Sequence, residues 1–415
     1  MRLRRCAVVW LEPREVASFQ LDDLLSGGTG VVSRLAWFAH APHLPGVVEV
    51  DAAQVQLLGV VGPVDWTSRE VLGVRFDADT IDALLAAGLL LAEAEDEGVA
   101  PHADVAYRTV RWHAAAAFAH MASRWDGIDG PRGMAEADVD TNEGLLRQHG
   151  TPPPHFAPRR GETEVTLPRI ERDEFDHLLD SRATCRNFDT GAVVPLPVFS
   201  QLMARVFGAR GIGHAAPEFD VIKRTSPSGG ALHPTECWLI VQRVEGVAPG
   251  LYRYRIDTHA LEPIAPGIAP PQPGDAQTRA SDDAPARAWT AEELRTFARI
   301  AVAGQEFFAD APVLCVLAPR FNRNFWKYRN HAKAYRVTVL DVGHLSQTLQ
   351  LCATQAGLGP FITSAINEAD IERAFGLTHY VEGPIAVCGF GPRAKTLVTS
   401  EFDPNRKVWP RKADA

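Results

Sequence analysis

No two cysteines stand close in this sequence, and no histidines are spaced as metal ligands. The six cysteines, Cys6, Cys185, Cys237, Cys315, Cys352 and Cys388, make no C-x-x-C, and the fourteen histidines make no H-E-x-x-H. Metal sites draw their ligands from short spacings, so no metal is expected, and the thiols read as buried or idle in a reducing compartment. No apolar run approaches the roughly 18 residues of a membrane span. The start, MRLRRCAVVWLEPRE, is basic, but its apolar run falls short of the roughly 7–15 residues of a secretory signal. The expectation is a soluble, cytoplasmic protein that uses no membrane. There is no internal repeat, no GxxxxGK[ST] phosphate loop and no dinucleotide fingerprint; Gly208, Gly211 and Gly213 follow a helical pattern, not a strand. Residues 1–150 contain no lysine. They carry twelve arginines against twenty-two Asp and Glu, a net of −10 in a chain of net −9. That excludes a general nucleic-acid-binding role, which needs a basic face, and leaves room only for a local patch.

What is present is globular. Of 415 residues, 46% are hydrophobic and 22% charged, outside the disordered regime. This length predicts two or three domains able to bury a core without disulfides or metals. In the acidic part, residues 76–95 predict a short helix capped by Asp77 or Asp79. Ile81, Leu84 and Leu85 form its stripe, Gly88 stops it, and a strand begins at Leu89. Helix–Gly–strand suggests a winged-helix-like domain over 1–150, either packing on the main domain or binding a peptide. A second helix is predicted over 109–125. The proline-rich 151–162 opens a linker to 169, and 265–288 reads as a mobile surface insertion.

From 170 to 415 helix and strand signals mix. Helices are predicted over 171–182, 195–211 and 337–357, and from a capping box at Thr290 and Glu293 to Phe307. Interior Gly343 costs a helix about 1 kcal/mol, which predicts close approach of another helix. The continuous apolar runs 236–244 and 311–319 read as buried strands, and 382–393 as a buried strand followed by a glycine turn. Irregular alternation with no βαβ period predicts an α+β fold around a largely antiparallel sheet flanked by helices.

Four segments carry chemistry. Arg182, Thr184 and Arg186 follow a helix end and can grip a phosphate with charge-assisted donors. Ser226-Pro-Ser228-Gly229-Gly230 brings backbone close to a flat ligand, with amides and a hydroxyl as donors. Lys327-Tyr328 offers a proton acceptor beside a phenol. Gly389-Phe-Gly-Pro-Arg393-Ala-Lys395 reads as a glycine turn before two cations. Singly, each reads as readily as solvated arginines, an ordinary turn, a basic aromatic surface segment or a strand-end turn.

Their order and spacing together resemble the nitroreductase-like flavoprotein superfamily. SPSGGALHPTE, GLYRYRIDTHALEPI, WKYRNHAKAYR and LDVGHLSQTLQLCATQAGLG are similar to the SagB-type dehydrogenases, in the subgroup described as peptide maturation dehydrogenases. The likeness covers 170–397, and residues 1–150 more loosely. It implies a nitroreductase-like FMN fold and a homodimer. By position it implies that Arg182, Thr184, Arg186, Arg393 and Lys395 hold the phosphate and ribityl side of FMN. Ser226, Ser228, Gly229 and Gly230 would lie along the flavin, with Gln305, Gly359, Thr363 and Ser364 near the ring. Lys327 and Tyr328 stand where azole-forming relatives have a catalytic pair. Two positions depart from the pattern: Ala183 replaces a common arginine, and Lys333-Ala334 replaces Arg-Gly.

The implied activity is oxidation of a ribosomal precursor peptide, of the azoline-to-azole type, with hydride passing to flavin N5. The implied partners are that peptide, a cyclodehydratase or other maturation enzyme, and a second copy. Two alternatives stay open. One is a flavin-free peptide-binding scaffold. The other is an NAD(P)H-dependent reductase of dehydroamino acids or of nitro or quinone compounds.

Overall fold

Two of the apolar runs become the strands Thr235–Val241 and Val313–Pro319, which pair antiparallel with Leu239 opposite Cys315. Every residue of both strands is buried. Successive side chains of a strand point to opposite faces, and here both faces are filled. Trp238, Ile240, Leu314 and Val316 enter one core with Leu294, Phe297 and Ala298 of the helix Ala291–Ala301. Cys237, Leu239, Val241, Val313, Cys315 and Leu317 enter a second core with Phe199, Leu202, Met203 and Val206 of the helix Leu196–Val206, and with Val342, Leu345 and Leu349 of the helix Lys333–Gln355. Burial on both faces explains why these strands read as unbroken apolar runs.

The structure, a computed structural model, describes residues 1–93, 102–161, 163–269 and 287–409. Most of the predicted insertion at 265–288 lies outside the described residues. The chain divides into two compact units: Met1–Ser123 with Phe321–Tyr335, and Arg124–Arg320 with Arg336–Ala415.

The second unit holds a six-stranded antiparallel sheet in the order Ala260–Ile264, Gly250–Arg255, Thr235–Val241, Val313–Pro319, Ala386–Gly391, Gly359–Thr363. This is the mixed, antiparallel fold expected. The Thr290 capping box forms as read, its hydroxyl accepting from Glu293 N–H. The helix it opens ends earlier than expected, at Ala301 rather than Phe307. Ala303 and Gly304 turn left-handed, and a separate short helix spans Glu306–Ala309. Gly304 is required here: a Cβ would stand 2.6 Å from the Asp129 carboxylate. Gly343 does not meet its expectation among the described residues. A Cβ there would find nothing within 4 Å.

The first unit places Arg2–Arg5 between Thr67–Ser68 and Leu90–Ala92 in one small sheet. The helix Ala78–Ala86 is capped by Asp77, whose carboxylate accepts from Thr80 N–H, and Gly88 turns left-handed after it. Ile81 and Leu84 pack with Leu3, Leu57, Leu58 and Leu90. A ribbon pairs Trp10–Phe19 with Val31–His40. The single helix expected over 109–125 is instead two, His102–Val110 and Ala114–Ala122. Arg111 breaks it in the left-handed region, at φ 65°. The break costs about 1–2 kcal/mol for a non-glycine residue. It delivers Trp112, 2% exposed, against Phe321 and Phe325, both at 4.7 Å between ring centroids, and against His120 at 5.1 Å. Burying an indole with such edge contacts offsets that cost. Among the described residues no helix is long and apolar enough to cross a membrane.

Candidate functional site

The helix Glu174–Ser181 ends at Arg182, and residues 183–188 then run beside the sheet edge. Cys185 N–H donates to Pro360 O at 2.7 Å, and Phe188 bridges to Arg393. Arg182 Nη1 donates to Gln350 Oε1 at 3.1 Å. Arg186 Nη1 donates to Ser400 O at 2.9 Å, and its guanidinium lies 5.7 Å from the centre of the Phe307 ring. Arg393 Nη2 donates to Ala183 O at 2.7 Å. Thr184 is half-buried between the two arginines. Arg182, Thr184, Arg186 and Arg393 are therefore neighbours along one stretch of chain, whereas Lys395 is exposed on the segment beyond.

At the centre of this group stands a residue not singled out from the sequence. Glu401, its side chain fully buried, accepts through Oε1 from the amide N–H groups of Arg186 (2.6 Å) and Asn187 (3.1 Å) and from Asn187 Nδ2 (2.9 Å). Through Oε2 it accepts from Arg393 and from Trp409 Nε1. Burial pushes its carboxyl up. The donors, with the Arg393 charge, more than offset that and hold it below the usual range. A lone Glu beyond the last strand carries little local signal, because three of its five donor groups, on Arg186 and Asn187, come from more than two hundred residues away.

The Ser226–Gly230 turn lies on the helix Lys333–Gln355. Ser226 Oγ sits 2.7 Å from Thr348 Oγ1. Ser228 Oγ donates to the Asp341 carboxylate and accepts from His233 N–H, and Gly229 N–H donates to Asp341 Oδ1 at 3.1 Å. A Cβ on Gly229 would stand 2.2 Å from Val337 Cγ1, and Gly230 turns at φ 65°. The glycines serve close approach, as expected, but to this helix. The two hydroxyls and the Gly229 amide are engaged internally rather than left as free donors. Burial raises the Asp341 carboxyl, partly offset by those same donors. Gln350, the partner of Arg182, projects from the same helix.

Gln305 Nε2 donates to Val302 O, Ala365 O and Thr363 Oγ1, fixing the end of the strand Gly359–Thr363. Ser364 is exposed just beyond it. Gly359 lets that strand close on Cys185, whose Sγ would lie 2.6 Å from an added Cβ. The expected glycine turn at Gly389 and Gly391 is instead part of the strand Ala386–Gly391, which Gly391 ends. Both glycines are there for packing. Added Cβ atoms would meet Phe361 at 2.1 Å and Pro312 at 2.2 Å.

Lys327 and Tyr328 belong to the first unit. Lys327 ends the helix Phe321–Lys327 and is exposed, and its Nζ lies 5.6 Å from the centre of the half-buried Tyr328 ring. Phe321 and Phe325 anchor the helix in the Trp112 cluster, and buried Asn324 donates to Ala334 O at 2.9 Å, closing the following loop. The pair is thus presented from a fixed base with its amine in solvent.

The sequence profile of the nitroreductase family matches residues 179–392. A Methanocaldococcus jannaschii protein named as a nitroreductase is 25% identical over 220 residues, which cover 52% of this chain and 91% of that relative. The trifolitoxin-processing protein TfxB of Rhizobium leguminosarum bv. trifolii is 25% identical over 166 residues, 40% of this chain and 38% of TfxB. Among solved structures, the E. coli microcin synthetase McbBCD complex with truncated pro-MccB17 bound is similar at a TM-score of 0.49 and 18% identity, over 69% of this chain and 94% of that one.

Proposed function

Because the chain belongs to the nitroreductase family, we propose that it is an FMN-dependent dehydrogenase acting on a ribosomally made precursor peptide. The observation that carries the cofactor is one of charge. Among the described residues, the Arg182 and Arg186 guanidiniums bond only neutral acceptors, Gln350 Oε1 and Ser400 O. Two adjacent positive charges without carboxylates match a phosphate monoester, which accepts charge-assisted bonds from forked donors. Thr184 adds a hydroxyl between them. Arg393 is matched to Glu401 and sets the position of Ala183 rather than offering a bare charge. The likeness to a trifolitoxin-processing protein supports a peptide as substrate.

FMN, when bound, supplies a two-electron acceptor for hydride. This chain's residues do the rest. The Ser226–Gly230 turn, tied to Asp341, would give the flavin ring a fixed wall, and Gln305 with Thr363 holds the strand end that would stand near it. Lys327 takes the Cα proton of an azoline-type ring, and Tyr328 orients the substrate. A general base contributes roughly 10²–10⁴-fold. The active species is a homodimer working beside a cyclodehydratase or another maturation enzyme.

The test is the visible spectrum of purified protein, with the chromophore released by heat and identified. FMN near one per chain supports the reading. Colourless protein that fails to take up added FMN overturns it. One observation favours the flavin-free scaffold as a second reading: Glu401 already neutralises Arg393. Rapid bleaching by NAD(P)H alone would instead favour a reductase.

A further inference from the structure

The first unit carries a set of exposed cations that hold no carboxylate among the described residues. From residue 311 to 340 the sequence has six Lys and Arg and no Asp or Glu, in a chain of net −9. Four cations of this unit, Arg111, Lys327, Arg329 and Lys333, are exposed and have no ion pair among the described residues. By contrast, Arg2, Arg34, Arg69 and Arg108 of the same unit each hold a carboxylate.

Arg111 and Arg329 also border a cavity of about 180 Å³, lined with them by Thr109, Asn322, Phe325 and Trp326. Both arginines are held in place by backbone. Arg111 sits at the left-handed break, and its carbonyl accepts from Asn330 N–H at 3.0 Å. Arg329 Nε donates to Trp326 O at 2.9 Å, leaving its terminal nitrogens for a ligand. The cavity is well below the roughly 300–1,000 Å³ of a whole small-molecule site and suits one side chain. Two guanidiniums at the rim and aromatic walls select a short carboxylate with an aliphatic stem.

We propose that this cavity binds an acidic segment of a peptide, one Asp or Glu side chain entering between Arg111 and Arg329 while a flanking acid lies over Lys333. This rests on the peptide-substrate reading and names its chemistry: the precursor is acidic near the site of reaction. A nucleic acid fits less well, since a cavity of about 180 Å³ takes one short side chain and not a nucleotide.

The full-length protein is titrated, by fluorescence anisotropy, with a fluorescein-labelled ten-residue peptide containing four Glu and with its Gln counterpart. Each charge-assisted contact is worth about tenfold in affinity. The Glu peptide is expected to bind at least about tenfold tighter, and Arg111→Gln with Arg329→Gln to remove that preference without changing flavin content or melting temperature. Equal binding of the two peptides overturns the proposal. So does an unaltered double variant, or tighter binding of a labelled single-stranded oligonucleotide of equal charge. Flavin content is measured on the same samples. Colourless protein that discriminates the peptides overturns only the flavoenzyme reading, and yellow protein blind to the difference overturns only this one.

Discussion

The candidate residues of the two units are held in opposite ways. In the second unit Ser226, Ser228, Gly229, Gln305 and Arg393 are each bonded to the protein itself, through Asp341, Thr348, Thr363 and Glu401. In the first unit Lys327, Arg329, Lys333 and Arg111 are exposed and hold no acid among the described residues. A wall that must keep its shape can use its donors inward, whereas groups that must meet an arriving chain cannot. The first set resists change through its neighbours; the second is sensitive one side chain at a time.

Substitution should separate the two. The largest effect is expected at Lys327→Ala, which should lower peptide oxidation by roughly 10²–10⁴ while flavin content is unchanged. Retained turnover would remove Lys327 as the base. Next comes Glu401→Ala, which leaves the half-buried Arg393 without its carboxylate. Its cost should be on the order of 3 kcal/mol, read as a lower urea midpoint. A change under about 1 kcal/mol would mean that the network holds little.

A smaller effect concerns pH. Burial raises the Glu382 carboxyl to about 7, against a hydrogen bond from Trp238 and the charges of Arg253 and Arg320. Its folded value lies above its unfolded one. The stability it contributes is therefore complete below about pH 4.5 and lost as pH rises through 7, by at most about 3 kcal/mol. Glu382→Gln should flatten the dependence of melting temperature on pH across that window, and an unchanged slope would place the titration elsewhere. The smallest effect is at Gly343→Ala, expected to gain about 1 kcal/mol because the new methyl meets nothing among the described residues. Loss of stability together with loss of dimer in light scattering would instead show a second copy packing there.

The elements that were legible were those with local causes. The Asp77 cap, the Gly88 stop and the Thr290 capping box depend on residues a few positions apart, and the buried strands announce themselves as apolar runs. The break at Arg111 was illegible because its cause is Trp112 meeting Phe321 and Phe325, which lie far along the chain. Gly389 and Gly391 imitate a turn, because glycine chosen for a tight strand contact looks the same in sequence as glycine chosen for φ. Among the candidate site residues, the types and order were visible, while their supports were not. Asp341, Gln350 and Glu401 are ordinary helix and tail residues until the fold brings them to Ser228, Arg182 and Arg393.

The family match stops at residue 392, one position before Arg393. A fragment trimmed to that boundary for a fusion would keep the last strand yet discard both the guanidinium and the acid that receives it. The amides of Arg186 and Asn187 would then have no acceptor, and Asn187 Oδ1 would lose the N–H groups of Val398 and Thr399. The tail is the hem that finishes the domain's edge, so the unit to clone is longer than the unit that sequence similarity outlines.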